Sequence, residues 1–360
     1  MITIIGAGPA GNYLAYLLAS KGLDTEVYEE HKEIGKPVQC TGIVSAYIKN
    51  FFEENELKKF VINKITKARI VSPDGNAIEI DMKKENLIID RAGFDSYLAE
   101  KAQKAGAQYH LGCRFTGVKG EHILLKKNNR TIKKKTGLLV GADGPLSEVA
   151  KSTGMFGKRD FFIGVQAEAK LENQNIVEFY PMKTGIGWVV PTGKNTARIG
   201  IAARKQPGRA FSRFLEKRLG KQAGKKYTAG IIPVYNPKIK TQSRRAFLLG
   251  DAATMVKATT LGGIIQGLLA AEALAEAITE KRDYEKLWKK RIGKELWISL
   301  KIRKALDRFS EKDYNDLIMI FSKEKNRKIL EREERDFPSR FIFRLAMQEP
   351  MLIKFIRFLI

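Results

Sequence analysis

The sequence predicts an α/β (α+β) protein, built on a parallel sheet with flanking helices, interrupted by an antiparallel sheet and closed by a helical C-terminal region. Three observations lead there. The chain opens as an apolar strand, a glycine-rich turn and an apolar helix, the start of a βαβ unit. Between Phe161 and Ala203 it changes to short alternating strands, the mark of an antiparallel sheet. Past Arg282 it is helical and basic. A chain of 360 residues can bury a large core and form two domains, or one with an elaborate insertion.

The opening unit carries the first chemistry. Ile2 to Ile5 form a strand, Gly6-Ala7-Gly8-Pro9-Ala10-Gly11 a turn, and Thr25 to Glu29 a second strand ending in an acid. Gly6 allows a tight strand-to-helix turn, Gly8 lets backbone approach a pyrophosphate, and Gly11 lets helix and sheet pack closely. The pyrophosphate would sit on free N–H groups at a helix N-terminus, where the dipole favours negative charge. Glu29 stands where an acid accepts hydrogen bonds from an adenosine ribose. Read together, these features form a Rossmann-like dinucleotide site; the competing reading is a glycine-rich turn in an ordinary βαβ unit.

The remaining elements follow in order. His31 to Ser45 is a shaped loop, its glycines and Pro37 barring helix and strand alike. Ile65 to Ile80 reads as a hairpin turning at Pro73-Asp74-Gly75, and Leu87 to Asp90 as another strand, followed by Arg91. Phe94, Leu98, Ala102 and Ala105 repeat at helical spacing until Gly106. Short strands are expected around Gln108 to Thr116 and His122 to Leu125, and Lys126 to Lys135 is read as an exposed basic turn. Gly137 to Gly141 is a buried strand leading into Asp143-Gly144 and a short helix. Four strands follow to Ala202, then a basic helix from Pro207 to Gly220. Tyr227 to Pro233 returns toward the first domain, and Ala246 to Gly250 is the last buried strand. Gly262-Gly263-Ile264 opens a small-residue helix to Ile278. The expected partition is a discontinuous cofactor domain (1–65, 85–160, 241–282), an antiparallel substrate domain (66–84, 161–240) and a helical region (283–360).

Composition narrows the setting. Two cysteines, Cys40 and Cys113, are too few for a disulfide framework, so a reducing cytoplasmic compartment is expected. No secretory leader is expected, because the first strand follows Met1 at once. No apolar run approaches the roughly 20 residues that span a bilayer. The net charge is +25, with 65 Lys and Arg against 40 Asp and Glu. Those cations are spread from Lys21 to Arg357 without a recognition motif, which argues against nucleic acid. Arg340 to Leu345 and Pro350 to Ile360 place large apolar residues beside spaced cations, the pattern of an interfacial helix on an anionic membrane. A core-packing C-terminal helix is compatible with this if its rim touches lipid.

The order GxGxxG, Arg91 after a strand, Ala142-Asp143-Gly144, then Gly250-Asp251-Ala252-Ala253 followed by Gly262-Gly263 resembles the FAD-binding flavoproteins of para-hydroxybenzoate-hydroxylase type. In such a fold Asp251 accepts hydrogen bonds from the ribityl chain. Gly262 and Gly263 bring backbone N–H groups and a helix N-terminus against the flavin pyrimidine. A narrower resemblance, to archaeal geranylgeranyl reductases, rests on Pro37-Val38-Gln39-Cys40-Thr41-Gly42-Ile43-Val44-Ser45, Arg91-Ala92-Gly93-Phe94-Asp95, Gly187-Trp188-Val189-Val190-Pro191, Thr259-Thr260-Leu261-Gly262-Gly263-Ile264 and Tyr284 to Trp288. It implies FAD contacts at Ala10, Glu29, Cys40, Gly42, Arg91, Asp251, Gly263 and Ile264, with a backbone contact to adenine at Phe115.

It also implies the reaction: saturation of isoprenoid C=C bonds in geranylgeranyl chains of archaeal ether-lipid precursors. An isolated alkene has no carbonyl to accept electrons, so hydride from reduced flavin N5 must be coupled to protonation of the neighbouring carbon in a dry, apolar site. Cys40, the only thiol in a cofactor loop, is the candidate for proton delivery; its competing reading is a small buried hydrophobe. Trp188 and Pro191 are read as walls of the prenyl tunnel, against plain sheet core. The family's aromatic-x-Trp-x-Phe-Pro pattern is here Ile186-Gly187-Trp188-Val189-Val190-Pro191, and Lys257 to Leu261 lacks the usual Pro and first Gly. No metal is expected, since His31, His110 and His122 show no partners at metal or triad spacing. The single dinucleotide fingerprint is taken by FAD, so NAD(P)H or ferredoxin would dock transiently as electron donor. The alternatives are a flavin monooxygenase or quinone-linked oxidoreductase of the same fold, and a non-enzymatic basic binding protein.

Overall fold

The structure is a computed structural model that describes residues 1–183, 185–220, 226–333 and 335–358. Among them, six strands form the first sheet, in the order Gln242–Ser243, Ala246–Leu248, Leu138–Gly141, Ile2–Ile5, Thr25–Tyr28, Gln108–His110. Its pairings are parallel except at the Gln242–Ser243 edge. The opening strand is buried at all four residues, as a parallel strand covered on both faces must be. Helices Pro9–Ala19, Arg91–Lys104 and Ile264–Glu280 pack together on this sheet, and their Leu14, Leu18, Leu98 and Leu274 are completely buried.

Eight described strands form the second sheet, in the order Tyr227–Pro233, Phe161–Lys170, Thr196–Ala203, Gly185–Gly193, Ile176–Met182, Val61–Val71, Ala77–Ile89, Ile43–Val44. Its pairings are antiparallel except where Ile176–Met182 runs parallel to Val61–Val71. That one parallel pair fastens the early hairpin to strands a hundred residues later.

Three elements differ from expectation. The hairpin is longer than Ile65 to Ile80: its second strand runs unbroken from Ala77 to Ile89, so Leu87 to Ile89 is its end and not a separate strand. A register shift between Ile65 and Lys67 bends the ribbon there, and Lys83 and Lys84 interrupt the apolar pattern that would have shown its continuity. Lys126 to Lys135 is not simply a turn. Arg130–Lys135 is a strand paired with His122–Lys127, the turn being Asn128-Asn129 in left-handed conformation. With Arg114–Lys119 they make a small three-stranded sheet, buried on the face of Phe115, Ile123 and Leu125, whose basic side chains hide its period. Tyr227–Pro233 is an edge strand of the large sheet, paired with Phe161–Lys170.

The C-terminal region is helical, as predicted. Ser339–Gln348 is an α-helix and Pro350–Phe358 a 3-10 helix; Leu359 and Ile360 lie outside the described residues. Leu345 and Phe355 are buried, the latter stacked on Phe309, whereas Phe343, Met347 and Met351 are exposed. The region thus packs on the protein and presents an apolar rim.

Candidate functional site

One cavity of about 730 Å³ runs between the two sheets. At one end stands the glycine turn. Gly6 has φ +102°, and a Cβ there would lie 2.4 Å from the Ala142 carbonyl oxygen; a Cβ on Gly11 would lie 2.2 Å from the Gly6 oxygen. Gly8 is different. A Cβ there would meet nothing within 4 Å, so the missing side chain leaves open space in front of the helix Pro9–Ala19. Gly11 shapes the turn without lining the cavity, and Ala10 lines it beside Gly250. The buried Asn12 ties the turn down, donating to the Ala7 and Asp95 carbonyls at 2.8 and 2.9 Å. Its polarity inside an apolar helix was the available sequence signal.

Glu29 lies just past the second strand and accepts from the Ala7 N–H at 2.8 Å and the His31 N–H at 3.0 Å. The His31 ring nitrogen is 2.6 Å from the same carboxylate, a partner that spacing alone did not disclose. Phe115 borders this end of the cavity from the small basic sheet.

In the middle, Asp90 caps the helix Arg91–Lys104, and Arg91 makes two hydrogen bonds to Asp95, one turn on, at 3.2 and 3.0 Å. Burial works against its charge, but Asp95 and then Cys40, which both face the guanidinium, hold its pKa above the usual value. Cys40 is half-buried on the cavity wall, its Sγ accepting from the Gly42 N–H at 3.4 Å. Gly42 has φ +79° and no room for a Cβ, which would lie 2.4 Å from the Ile89 oxygen. The Arg198 guanidinium donates to the Thr41 carbonyl at 2.7 Å, and Thr41 Oγ1 donates to Gln166 at 2.9 Å. This loop therefore bridges both sheets, using partners from the large sheet that sequence reasoning missed.

Asp251 follows Gly250, whose φ is +59°. Its carboxylate borders Gly263, where a Cβ would lie 3.2 Å from Oδ1 and 3.1 Å from Val256, a tight fit that glycine relieves. Burial, opposed by Arg91, pushes the Asp251 pKa up to about 6. Gly262, Gly263 and Ile264 all line the cavity, with Gly263 as N-cap of the 17-residue helix Ile264–Glu280. Leu261, at the place of the family's usual first Gly, still adopts φ +56°. Its N–H donates to the Lys257 carbonyl at 2.8 Å and the Lys257 N–H donates to the Gly262 carbonyl at 3.1 Å, which closes the turn.

Opposite lies the apolar wall. Ile186, Trp188 and Val190 line the cavity at strand spacing, with Phe179 and Ile232 beside them. The indole of Trp188 lies against Gly200, where a Cβ would come within 2.5 Å of the ring. Pro191 falls on the opposite side of the pleat, away from the cavity, and its carbonyl accepts from Asn63 at 3.1 Å.

Sequence reasoning also missed a buried charge cluster. Lys257 is ion-paired with Asp336, which in addition accepts from the Ser45 hydroxyl. Arg335 lines the cavity beside them, and its Nε has no partner among the described residues. Lys257 and Asp336 are 79 positions apart, so no local pattern announces them.

The residues present fit FAD. Open space at Gly8 and an acid at the second strand suit the adenosine pyrophosphate, and Asp251 beside Gly263 suits the ribityl and pyrimidine groups. A family model described as "FAD binding domain" matches residues 1–287. The digeranylgeranylglycerophospholipid reductase of Methanocaldococcus jannaschii is 28% identical, the match covering 99% of this chain and 97% of that one. Digeranylgeranylglycerophospholipid reductase 2 of Methanothermobacter thermautotrophicus is 32% identical over 88% of this chain and 90% of its own. In fold, the crystal structure of a geranylgeranyl bacteriochlorophyll reductase-like protein from Thermoplasma acidophilum is similar over 100% of this chain and 98% of that chain, with a TM-score of 0.85 at 24% identity. By the match of its cofactor domain and by near-full-length similarity, this chain belongs to the FAD-binding-domain family and, within it, to the digeranylgeranylglycerophospholipid reductases.

Proposed function

We propose that this chain is an FAD-dependent reductase that saturates isoprenoid C=C bonds in the geranylgeranyl chains of archaeal membrane ether-lipid precursors. The observation that carries this reading is the continuity of one cavity from Gly8, Asp251 and Gly263 to the apolar wall of Ile186, Trp188 and Val190. When bound, reduced FAD supplies the hydride for one alkene carbon while a proton goes to its neighbour. The chain's own part is to exclude water and align the alkene. The sheet wall supplies apolar contact, and the Pro37–Ser45 loop closes the side between the sheets. Cys40 reaches the cavity beside Arg91 and is our candidate for holding the transferred proton, with Trp188 as tunnel wall. Pro191 supports that wall from behind, and the partition given above, with its cofactor domain, substrate domain and C-terminal helical region, is our reading of how cofactor and substrate surfaces divide.

NAD(P)H or ferredoxin is the proposed donor, docking transiently. No described helix is long and apolar enough to cross a membrane. The exposed Phe343, Met347 and Met351 beside Arg344 support peripheral contact with an anionic membrane from the cytoplasmic side. The decisive experiment is anaerobic incubation of dithionite-reduced holoprotein with digeranylgeranylglycerol phospholipid, read by mass spectrometry. A gain of one H2 per double bond is expected. An FAD-replete, fully reduced protein that leaves every prenyl chain unsaturated would sink the proposal, and an oxygen-containing product in air would favour the monooxygenase alternative. Cys40→Ala is expected to lower turnover at least about tenfold in protein that still holds FAD.

A further inference from the structure

A second cavity, a groove of about 550 Å³, lies on the other side of the wall built by Ser45 and Asp336. Three elements form it: the 3-10 helix Ala46–Asn50, the long hairpin at Thr66 and Lys83 to Glu85, and the first turn of the helix Ser339–Gln348. Its charge is one-sided. Among the described residues, Lys49, Lys83 and Arg340 line it together with one carboxylate, Glu85, which is engaged by Lys49 at 2.8 Å and Lys64 at 3.6 Å. Neither Lys83 nor Arg340 meets a carboxylate among the described residues; Arg340 lies over the Phe337 ring, 4.3 Å from its centroid.

Position gives this charge a use. Ser45 lines the main cavity and Ala46, the next residue, lines the groove; Asp336 lines the cavity and Arg340 the groove. Tyr47 and Phe337, ring centroids 4.8 Å apart, stand between. Four residues of chain span at most about 15 Å, so both sites lie within the length of one lipid molecule. On the helix, Arg340, Phe343 and Met347 share one face at i, i+3 and i+7, and the last two are exposed apolar side chains. The groove therefore opens beside the apolar rim, and its cations Lys49, Lys83 and Arg340 are exposed at the surface.

We propose that this groove binds the phosphate of the substrate's own headgroup while a prenyl chain of the same molecule occupies the flavin cavity. The inference rests on the lipid-reductase reading for its ligand and on the groove's charge for its chemistry. A phosphate ester could also come from bulk anionic lipid, and the test separates the two sources.

The test uses the full-length holoprotein and two saturated, unreducible diphytanyl diethers in neutral detergent, one bearing a phosphate and one a free hydroxyl. Calorimetric titration is expected to give at least about tenfold tighter binding of the phosphate form, and Lys83→Gln with Arg340→Gln is expected to abolish that preference. A preference absent in the wild type, or undiminished in the double variant, overturns the proposal. Binding to vesicles of anionic phospholipid is expected to change less than about twofold in the same variant. A loss there as large as the loss in detergent assigns the cations to bulk membrane lipid and also overturns it. In turnover, the double variant raises KM for the unsaturated phospholipid without lowering kcat and leaves the headgroup-free diether unaffected. A wild type that discriminates in binding but reduces neither lipid keeps the groove and sinks the reductase reading, so the two failures are distinguishable. FAD content equal to wild type confirms that the variant is folded.

Discussion

Gly8 and Gly11 carry the same residue type for opposite reasons, and substitution separates them. A Cβ at Gly8 meets only open space, so Gly8→Val is expected to leave the apoprotein within about 1 kcal/mol of wild type while weakening FAD binding more than about tenfold. Gly11→Ala places a methyl 2.2 Å from the Gly6 oxygen and is expected to lower Tm in both apo and holo forms. Flavin fluorescence and calorimetry read the two effects. Asp251 gives a pH signature. Its pKa rises from 3.8 to about 6 on folding because burial disfavours the carboxylate. The native state then holds the proton more tightly than the unfolded chain, so stability falls as pH rises from about 4 to about 6 and stays reduced above. Asp251→Asn is expected to stabilise the apoprotein by about 3 kcal/mol at pH 7.5 and by almost nothing at pH 3.5, in urea titrations. Most cofactor-facing residues were legible beforehand because backbone demands select glycine and chemistry selects an acid. Pro191 was misassigned: it stands three residues from Trp188 in the strand Gly185–Gly193, so alternation puts the two on opposite faces of the pleat.

Among elements, the segment Val256 to Gly263 and the chain around Asp336 are joined by one buried ion pair. Removing a single partner leaves charge without compensation: Asp336→Ala would strand Lys257 and Arg335 together. A loss of about 3–5 kcal/mol is expected for Asp336→Ala, and a much smaller loss for the double variant Lys257→Met with Asp336→Leu. Chemical denaturation of the three proteins measures the difference. Leu261 shows how the same region tolerates the absence of a glycine. It holds φ +56°, an arrangement that costs a non-glycine residue about 1–2 kcal/mol, and the reciprocal hydrogen bonds of Lys257 with Leu261 and Gly262 maintain it. Strands and helices with clean periods were readable. The hairpin's true length and the strand Arg130–Lys135 were not, because exposed lysines on both carry no period.

At the scale of the whole molecule, the net charge of +25 and the exposed C-terminal side chains act together. Sedimentation with anionic vesicles is expected to retain the protein at low salt and release much of it near 0.5 M salt, where the Debye length falls to about 4 Å. Phe343→Ser with Met347→Ser is expected to weaken retention at least about tenfold while FAD binding stays unchanged. Retention that is insensitive to both salt and these substitutions would remove the membrane from the account.

The sequence by itself determined the parallel sheet, the dinucleotide turn, Asp251 with its glycine pair and the family to which they point. Each is a local demand of backbone geometry or charge that a few neighbouring residues satisfy. Only the tertiary structure decided what faces what. Cys40 meets Arg91, Asp336 reaches Lys257, and Arg340 joins Lys83 across a groove because loops and helices distant in sequence pack against the same sheets. Contacts of that range leave no periodic trace along the chain, since the cost of closing the intervening loops grows too slowly with length to constrain where the partners lie.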